Sequence, residues 1–243
     1  MDMKQTMVHT VTAAELDNSG YMDPCELISK LTLAATLRNK EEGGSRGVLL
    51  EKLNAAWMFR RIKLSQHLPI GEGDELTGFA SGRTDCGSFY ALRGEFYKDG
   101  SLAAAMDMIM MPVLLRGRKR LGCADIEPFY TTKPLNEVPE FHRLPIVEPF
   151  EYTETKTITK DDCDDNASHF AFHNYARLVC KDTGYWEGPP KIISAMQIDY
   201  VRECVTGSVI RIGVQEKNGE FTVQGVHPKG SPCFNARCSY SEI

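Results

Sequence analysis

The order of predicted secondary-structure elements repeats once along this chain of 243 residues. In the first half, a short strand at Val8–Thr12 precedes a helix that begins after Asp23, and about four strand-like runs follow. In the second half, a strand at Glu151–Thr159 precedes a helix at His169–Cys180, and about four more strand-like runs follow. A half with one helix and a long antiparallel sheet buries its helix most simply by wrapping the sheet around it.

Short matches between the halves indicate a duplication. Residues 11–20 align with residues 158–167, which places Asp17 opposite Asp164. A second match places Ile62 opposite Ile198 and His67 opposite Glu203. Two such copies in one chain imitate a two-fold dimer, with sites where the halves meet. A monomer is then sufficient, and a homodimer is not excluded.

The segment between the halves is rich in proline. Five of the chain's twelve prolines lie between Gly122 and Phe150, where regular structure is disfavoured. We therefore predict an N-terminal domain of residues 1–125, a linker of residues 126–149 and a C-terminal domain of residues 150–243.

Composition restricts the class of protein. The net charge of −5 argues against nucleic acid as a partner, because phosphate binding requires a basic surface. No apolar run approaches the ~18 residues that span a bilayer, and no signal peptide follows Lys4. The eight cysteines are scattered without a C-x-x-C pair, which is typical of free thiols. We predict a soluble cytoplasmic protein that binds no membrane.

Polar residues cluster where the second predicted helix begins. Asp165, Asn166 and His169 lie between a strand-like run and an aromatic, helix-compatible segment. A helix start lined with carboxylate, amide and imidazole groups suits a polar reacting centre. The alternative is a helix whose start is simply well capped by these residues.

Two motifs carry a resemblance to a known family. Residues 197–204 read Q-I-D-Y-V-R-E-C and contain the pattern Y-x-R-E-C, whereas residues 164–169 read D-D-N-A-S-H, close to D-x-N-x-H. With Trp57 and the runs at 68–74, 93–96 and 116–120, the chain resembles the acyl-acyl carrier protein (acyl-ACP) thioesterases. The resemblance implies an α+β tandem (double) hot-dog fold.

The pattern D-x-N-x-H can be aligned with this chain in two ways. Aligned without a gap, Asp165 takes the aspartate position and Ala167 replaces the asparagine. Aligned on Asp164, the asparagine is kept as Asn166, and one extra residue precedes His169. We favour the gapless alignment, because an insertion at a helix start would rotate every later side chain by about 100°.

The resemblance implies roles for four residues. Glu203 would activate the water, since apolar neighbours desolvate its carboxylate. Asp165 would orient that water, Asn166 would place the thioester carbonyl, and His169 would donate to it. The alternatives are an ion pair between Glu203 and a neighbouring arginine, and capping or packing roles for the other three.

Other groups near these motifs are less suited to chemistry. Cys204 adjoins Glu203, but strand alternation points neighbouring side chains to opposite faces, so we do not predict a covalent acyl-enzyme. His169 and His173 with Asp165 lack a further metal ligand at a familiar spacing, and we predict neither a metal nor a cofactor.

A basic cluster completes the candidate site. Its members are Arg116, Arg118, Lys119 and Arg120. It could meet the phosphopantetheine or the acidic surface of a carrier protein, or it could be solvated without a partner.

These observations predict a hydrolase of fatty acid biosynthesis that cleaves fatty acyl-ACP to free fatty acid and acyl carrier protein. The alternatives are an acyl-CoA thioesterase and a non-catalytic acyl-thioester-binding protein. A hot-dog dehydratase is disfavoured, because the glycine-rich helix entry expected near its histidine is missing.

Overall fold

A computed structural model of the chain describes residues 3–41, 46–82, 84–85, 89–126, 128, 133–134, 142–145, 151–152, 154–163 and 169–243. Most of the predicted linker, residues 126–149, lies outside these ranges. The three-part division of the chain therefore stays a prediction.

The order of elements agrees with the sequence pattern. The strands of the first half are β1 (Met3–Thr10), β2 (Ala55–Gln66), β3 (Glu75–Ser81), β4 (Thr84–Asp85), β5 (Tyr90–Lys98) and β6 (Ser101–Leu114). A two-residue strand, β7 (Lys133–Pro134), precedes those of the second half: β8 (Glu154–Thr157), β9 (Lys191–Tyr200), β10 (Val209–Lys217), β11 (Glu220–Val226) and β12 (Pro232–Glu242). The helices are α1 (Pro24–Glu41), α2 (Arg46–Leu53), α3 (Cys123–Ile126) and α4 (Asn174–Asp182). Each half thus places a strand and a helix before four main strands.

The ten main strands form one sheet that runs through both halves. Their order is β1-β3-β5-β6-β2-β9-β12-β11-β10-β8, so the halves join where β2 pairs antiparallel with β9. Ile62 and Ile198 lie directly opposite each other at this junction. Equivalent residues of two copies oppose each other only on a two-fold axis. This register supports the sequence match that equated Ile62 with Ile198.

The duplication extends to the turns that precede the two main helices. Thr12 N donates to Glu15 Oε2 at 2.9 Å, and Thr159 N donates to Asp162 Oδ2 at 2.7 Å. Both are capping boxes on a short 3₁₀ turn, with the carboxylate returning to the cap amide. Residues 11–16 and 158–163 therefore match in structure as well as in sequence.

Helix α1 is buried against the sheet of the first half. Leu27, Ile28 and Leu31 have no exposed surface. Gly94 of β5 lies so close to α1 that a Cβ atom there would be 2.8 Å from the Leu31 carbonyl oxygen. The absence of a side chain at Gly94 therefore lets the helix backbone sit directly on the strand.

A buried ion pair crosses the junction between the halves. Arg61 Nη2 of β2 donates to Asp199 Oδ2 of β9 at 2.8 Å. Leu144 N, from the predicted linker, donates to the same oxygen at 3.0 Å. Asp199 is only 3% exposed, so its charge depends on these donors. One carboxylate thus connects both halves and the chain between them.

The predicted start of the second helix is wrong. Helix α4 begins at Asn174, five residues after the predicted start at His169. His169 instead forms a β-bridge with Val205, and Phe170 forms one with Cys163. These pairings hold the backbone extended, which prevents helical hydrogen bonding there. Helix α2, whose sequence has no clear apolar stripe, was not predicted. Across the described ranges, no helix combines the length and apolar character needed to cross a membrane.

Candidate active site

His169 and Glu203 lie side by side. Phe170 N donates to Cys204 O at 2.8 Å, which joins the segment before α4 to the loop after β9. The Nδ1 atom of His169 is buried, and it lies against Oε1 of Glu203. The two side chains keep 25% and 24% of their surface exposed, so a small molecule can reach them. The structure thus brings together two of the four predicted catalytic residues.

The loop after β9 orients Glu203. β9 ends at Tyr200, because Val201 N and Arg202 N both donate to Cys233 O, at 2.9 and 3.0 Å. This bend takes Glu203 out of the strand. Its position just beyond a buried strand gives the carboxylate a fixed backbone and partial access to solvent.

Cys204, next to Glu203 in the sequence, is enclosed by protein. It is only 3% exposed, in contrast to the partly open Glu203 beside it. A hydrogen bond from the Cys233 thiol lowers the pKa of Cys204, and the same contact raises the pKa of Cys233. Although the pKa of Cys204 is lowered, the thiol is enclosed, and the absence of a covalent acyl-enzyme stays a prediction.

Arg118, from the first half, also contacts Glu203. Arg118 Nη2 lies 3.1 Å from Oε2, and Nη1 donates to Oε1 at 3.3 Å. Arg118 belongs to the turn after β6 and has a φ of 52°, in the left-handed region. Its side chain is 50% exposed. The candidate site is therefore built from both halves, and Glu203 also has the ion pair considered as an alternative.

The rest of the basic cluster surrounds this turn. Leu114 N donates to Lys119 O at 2.8 Å, and Val113 pairs with Arg120, so the turn is closed by backbone bonds. The guanidinium carbon of Arg120 lies 4.8 Å above the ring of Phe89. Arg116 and Lys119 are exposed. All four predicted basic residues thus lie at one turn, whose Arg118 reaches Glu203.

The other predicted catalytic residues, Asp165 and Asn166, lie outside the described residues, as does the alternative Asp164. Their roles stay predictions. The helical spacing needed for a metal pair between His169 and His173 is not present, because His169 precedes the helix.

An aromatic contact beside the site was not predicted. Phe172 stacks on Phe59 of β2 with ring centroids 4.2 Å apart. Tyr200 Oη donates to Phe172 O at 3.0 Å, which holds this segment against the end of β9. Phe59 and Phe172 are distant in sequence, and only the junction between β2 and β9 brings them together. By contrast, Met106 and Met108 of β6 are fully buried core residues.

The first half has a different pair at the equivalent place. Met22 N donates to Ile70 O at 2.8 Å, as Phe170 N does to Cys204 O. Tyr21 is bridged to Gly71, as His169 is to Val205. By this correspondence Tyr21 replaces His169 and Pro69 replaces Glu203. The sequence match that placed His67 opposite Glu203 is therefore wrong by two residues, because the loop after β2 is longer. Only the second half carries an imidazole and a carboxylate here.

No protein-family model and no curated protein sequence matches this chain. Solved structures do match it over nearly their whole length. An acyl-ACP thioesterase from Bacteroides thetaiotaomicron has a TM-score of 0.81 at 15% identity, covering 98% of both chains. A proposed oleoyl thioesterase from Lactobacillus plantarum has a TM-score of 0.80 at 15% identity, covering 100% of this chain and 96% of its own. The 12:0-ACP thioesterase from Umbellularia californica has a TM-score of 0.78 at 15% identity, covering 99% and 98%.

The fold is a tandem hot-dog. This confirms the fold that the resemblance to acyl-ACP thioesterases implied. In the tandem hot-dog, the two sheets are continuous through β2 and β9, and the candidate site lies where the second half meets the turn after β6. Because 15% identity establishes the fold and not the reaction, the activity is argued from the site.

Proposed function

We propose that this tandem hot-dog hydrolyses fatty acyl thioesters, and that its substrate is fatty acyl-ACP. The observation that carries the proposal is the contact between His169 and Glu203 at a partly open place beside a basic turn. A carboxylate and an imidazole are the groups that most often move protons in hydrolysis.

Glu203 is the base in this proposal. His169 Nδ1 lies against Oε1 and fixes the position of the carboxylate, and Oε2 accepts a proton from water once Arg118 no longer contacts it. The resulting hydroxide attacks the thioester carbonyl, the C–S bond breaks, and the proton returns to the sulfur of the leaving thiol. Asp165 and Asn166 are proposed to orient the water and the carbonyl, as the family resemblance implies.

The basic turn supports a carrier-bound substrate. Arg116, Arg118, Lys119 and Arg120 concentrate positive charge beside Glu203 in a chain with a net charge of −5. Both ACP and CoA present a phosphate on the pantetheine arm, and an acidic carrier surface adds further negative charge. An acyl-CoA thioesterase is therefore the second candidate within the same chemistry, and a non-catalytic acyl-thioester-binding protein is the candidate from another class.

The test measures free-thiol release from acyl-ACP and acyl-CoA over a series of chain lengths. We expect faster release from acyl-ACP, and a loss of 10²-fold or more in Glu203→Gln, on the order typical of general bases. Glu216→Gln, an exposed glutamate of β10, should match the wild type and serves as the control. Release that survives Glu203→Gln would assign the base to Asp165 or His169. No release from any substrate, with acyl-ACP still bound, would make the protein a binder.

A further inference from the structure

Arg118 contacts Oε2 of Glu203, the oxygen that accepts a proton in the proposed reaction. Its Nη2 lies 3.1 Å from Oε2 of Glu203, and its Nη1 donates to Oε1, which also contacts His169. Among the described residues, these are the side chains that meet the Glu203 carboxylate. Because the guanidinium contacts both carboxylate oxygens, a water molecule has to displace Nη2 before it can take its place on Oε2. The structure therefore shows Glu203 engaged rather than free to act on water.

We propose that Arg118 is a specificity-determining residue that makes the site select thioesters with a phosphate on the thiol arm. It holds Glu203 while the site is empty and releases it when a substrate phosphate binds the guanidinium instead. The inference rests on the proposed hydrolysis. It adds that the phosphate on the thiol arm is the part of the substrate that activates the site.

The contact is one that a phosphate can displace. The Arg118 side chain is 50% exposed, and ion pairs at such positions are held weakly because water screens them. A phosphate offers a guanidinium two parallel, charge-assisted hydrogen bonds. Arg116, Lys119 and Arg120 raise the local concentration of anions at the same turn. A substrate phosphate can therefore displace the Glu203 carboxylate from the Arg118 guanidinium.

Only the side chain has to move. The backbone of the turn is fixed by the bonds from Leu114 N to Lys119 O at 2.8 Å and from Leu115 N to Asn54 O at 2.9 Å. A long arginine side chain can swing from Glu203 to the outer side of this fixed turn. In this proposal the released guanidinium then meets the phosphate at the far end of the pantetheine arm.

The test compares acyl-pantetheine with acyl-4′-phosphopantetheine, two substrates that differ only by the phosphate. We expect the wild type to hydrolyse the phosphorylated substrate at least tenfold faster in kcat. Arg118→Asn should raise kcat on acyl-pantetheine several-fold and lower kcat/KM on the phosphorylated substrate, so that the preference approaches one. Asparagine is chosen because it tolerates the positive φ of this position. Arg118→Lys, which keeps the charge, should restore part of the preference.

Two further variants distinguish the release of Glu203 by Arg118 from a general electrostatic attraction of the phosphorylated substrate to the basic turn. Arg116→Asn removes the same charge from the turn, so it should raise KM for the phosphorylated substrate without any gain on acyl-pantetheine. Arg237→Asn removes a half-exposed, ion-paired arginine far from the site, and should keep the wild-type preference. Acyl-ACP measured beside acyl-phosphopantetheine shows whether the carrier's own acidic groups add to the effect.

An Arg118→Asn variant that loses activity equally on both substrates, or keeps the wild-type preference, would overturn this inference alone. A wild type that hydrolyses neither substrate, nor acyl-ACP, would overturn the proposed function, and this inference with it.

Discussion

The Nδ1 atom of His169 lies against Oε1 of Glu203, and the bond from Phe170 N to Cys204 O holds their two loops together. The imidazole is thereby fixed by the carboxylate rather than by solvent. A pair held in this way acts as one unit, so that removing either member disables the other.

We therefore expect His169→Gln and Glu203→Gln to be strongly non-additive. Each single variant should lose about 10²-fold or more in kcat, and the double variant should lose no more than about threefold beyond the worse single one. The measurement is kcat of the four proteins on one acyl-ACP. Glu216→Gln combined with Glu203→Gln is the reference for independent sites. Losses that multiply in the double variant would mean that the two residues act separately.

Replacing Cys204 should leave hydrolysis intact. The thiol is enclosed in the core, so Cys204→Ala should keep kcat within about threefold of the wild type. Rapid-quench kinetics should also show no acyl-enzyme before product forms. A loss comparable to that of Glu203→Gln, in a variant with an unchanged unfolding midpoint, would show that the thiol takes part in the reaction.

Breaking the buried ion pair at the junction should destabilise the whole chain. Asp199→Ala removes a buried acceptor shared by Arg61 and Leu144 N, which should lower the free energy of unfolding by about 3 kcal/mol. Denaturant unfolding measures this loss. Glu41→Ala removes the partner of Lys4 at the surface and should produce no shift that the same experiment resolves. Equal effects of the two substitutions would contradict the structural role of the junction.

The contribution of Asp182 to the stability of the protein should fall as pH rises through the titration of its carboxyl group. Burial raises its pKa from 3.8 to about 6, and its Oδ2 atom is buried without a hydrogen-bond partner. The folded state therefore binds more protons than the unfolded state between these values. By linkage, the contribution of this carboxyl to stability is present below about pH 4 and is lost above about pH 6.

Asp182→Asn should remove the loss of stability that ionisation of the Asp182 carboxyl causes as pH rises. Its unfolding free energy should equal that of the wild type near pH 4 and exceed it by about 1 kcal/mol at pH 8, a value reduced for the partial exposure of the group. Denaturant unfolding at the two pH values provides the measurement, with Glu216→Gln as the control. A difference between Asp182→Asn and the wild type that does not change with pH would refute the assignment.

Much of the fold could be read from local sequence. Asp99-Gly100 and Asn218-Gly219 are sequence signals for hairpin turns, and all four residues have a positive φ in two-residue turns. Asp23 was predicted to cap α1, and its carboxylate accepts a hydrogen bond from Cys25 N at 2.7 Å. Such features depend on a few consecutive residues, so their sequence signals are reliable.

Local sequence failed where distant backbone decided the outcome. The segment after His169 has residues that suit a helix, but Cys204 and Val205 pair with it and delay the helix to Asn174. Similarly, the spacing to Glu203 suggested His67 as its counterpart, whereas the hydrogen bonds of the loops equate it with Pro69. In both cases the deciding partner is in another part of the chain.

The sequence by itself determined the repeated element order, the hairpins and the chemical types of the candidate site residues, because these depend on neighbours along the chain. The tertiary structure decided that Glu203 meets both His169 and Arg118. That meeting requires the turn after β6 and the loop after β9 to lie at the same place, and the order of strands in the continuous sheet brings them there. No short stretch of sequence contains that order, since it results from how the two halves bury their shared sheet.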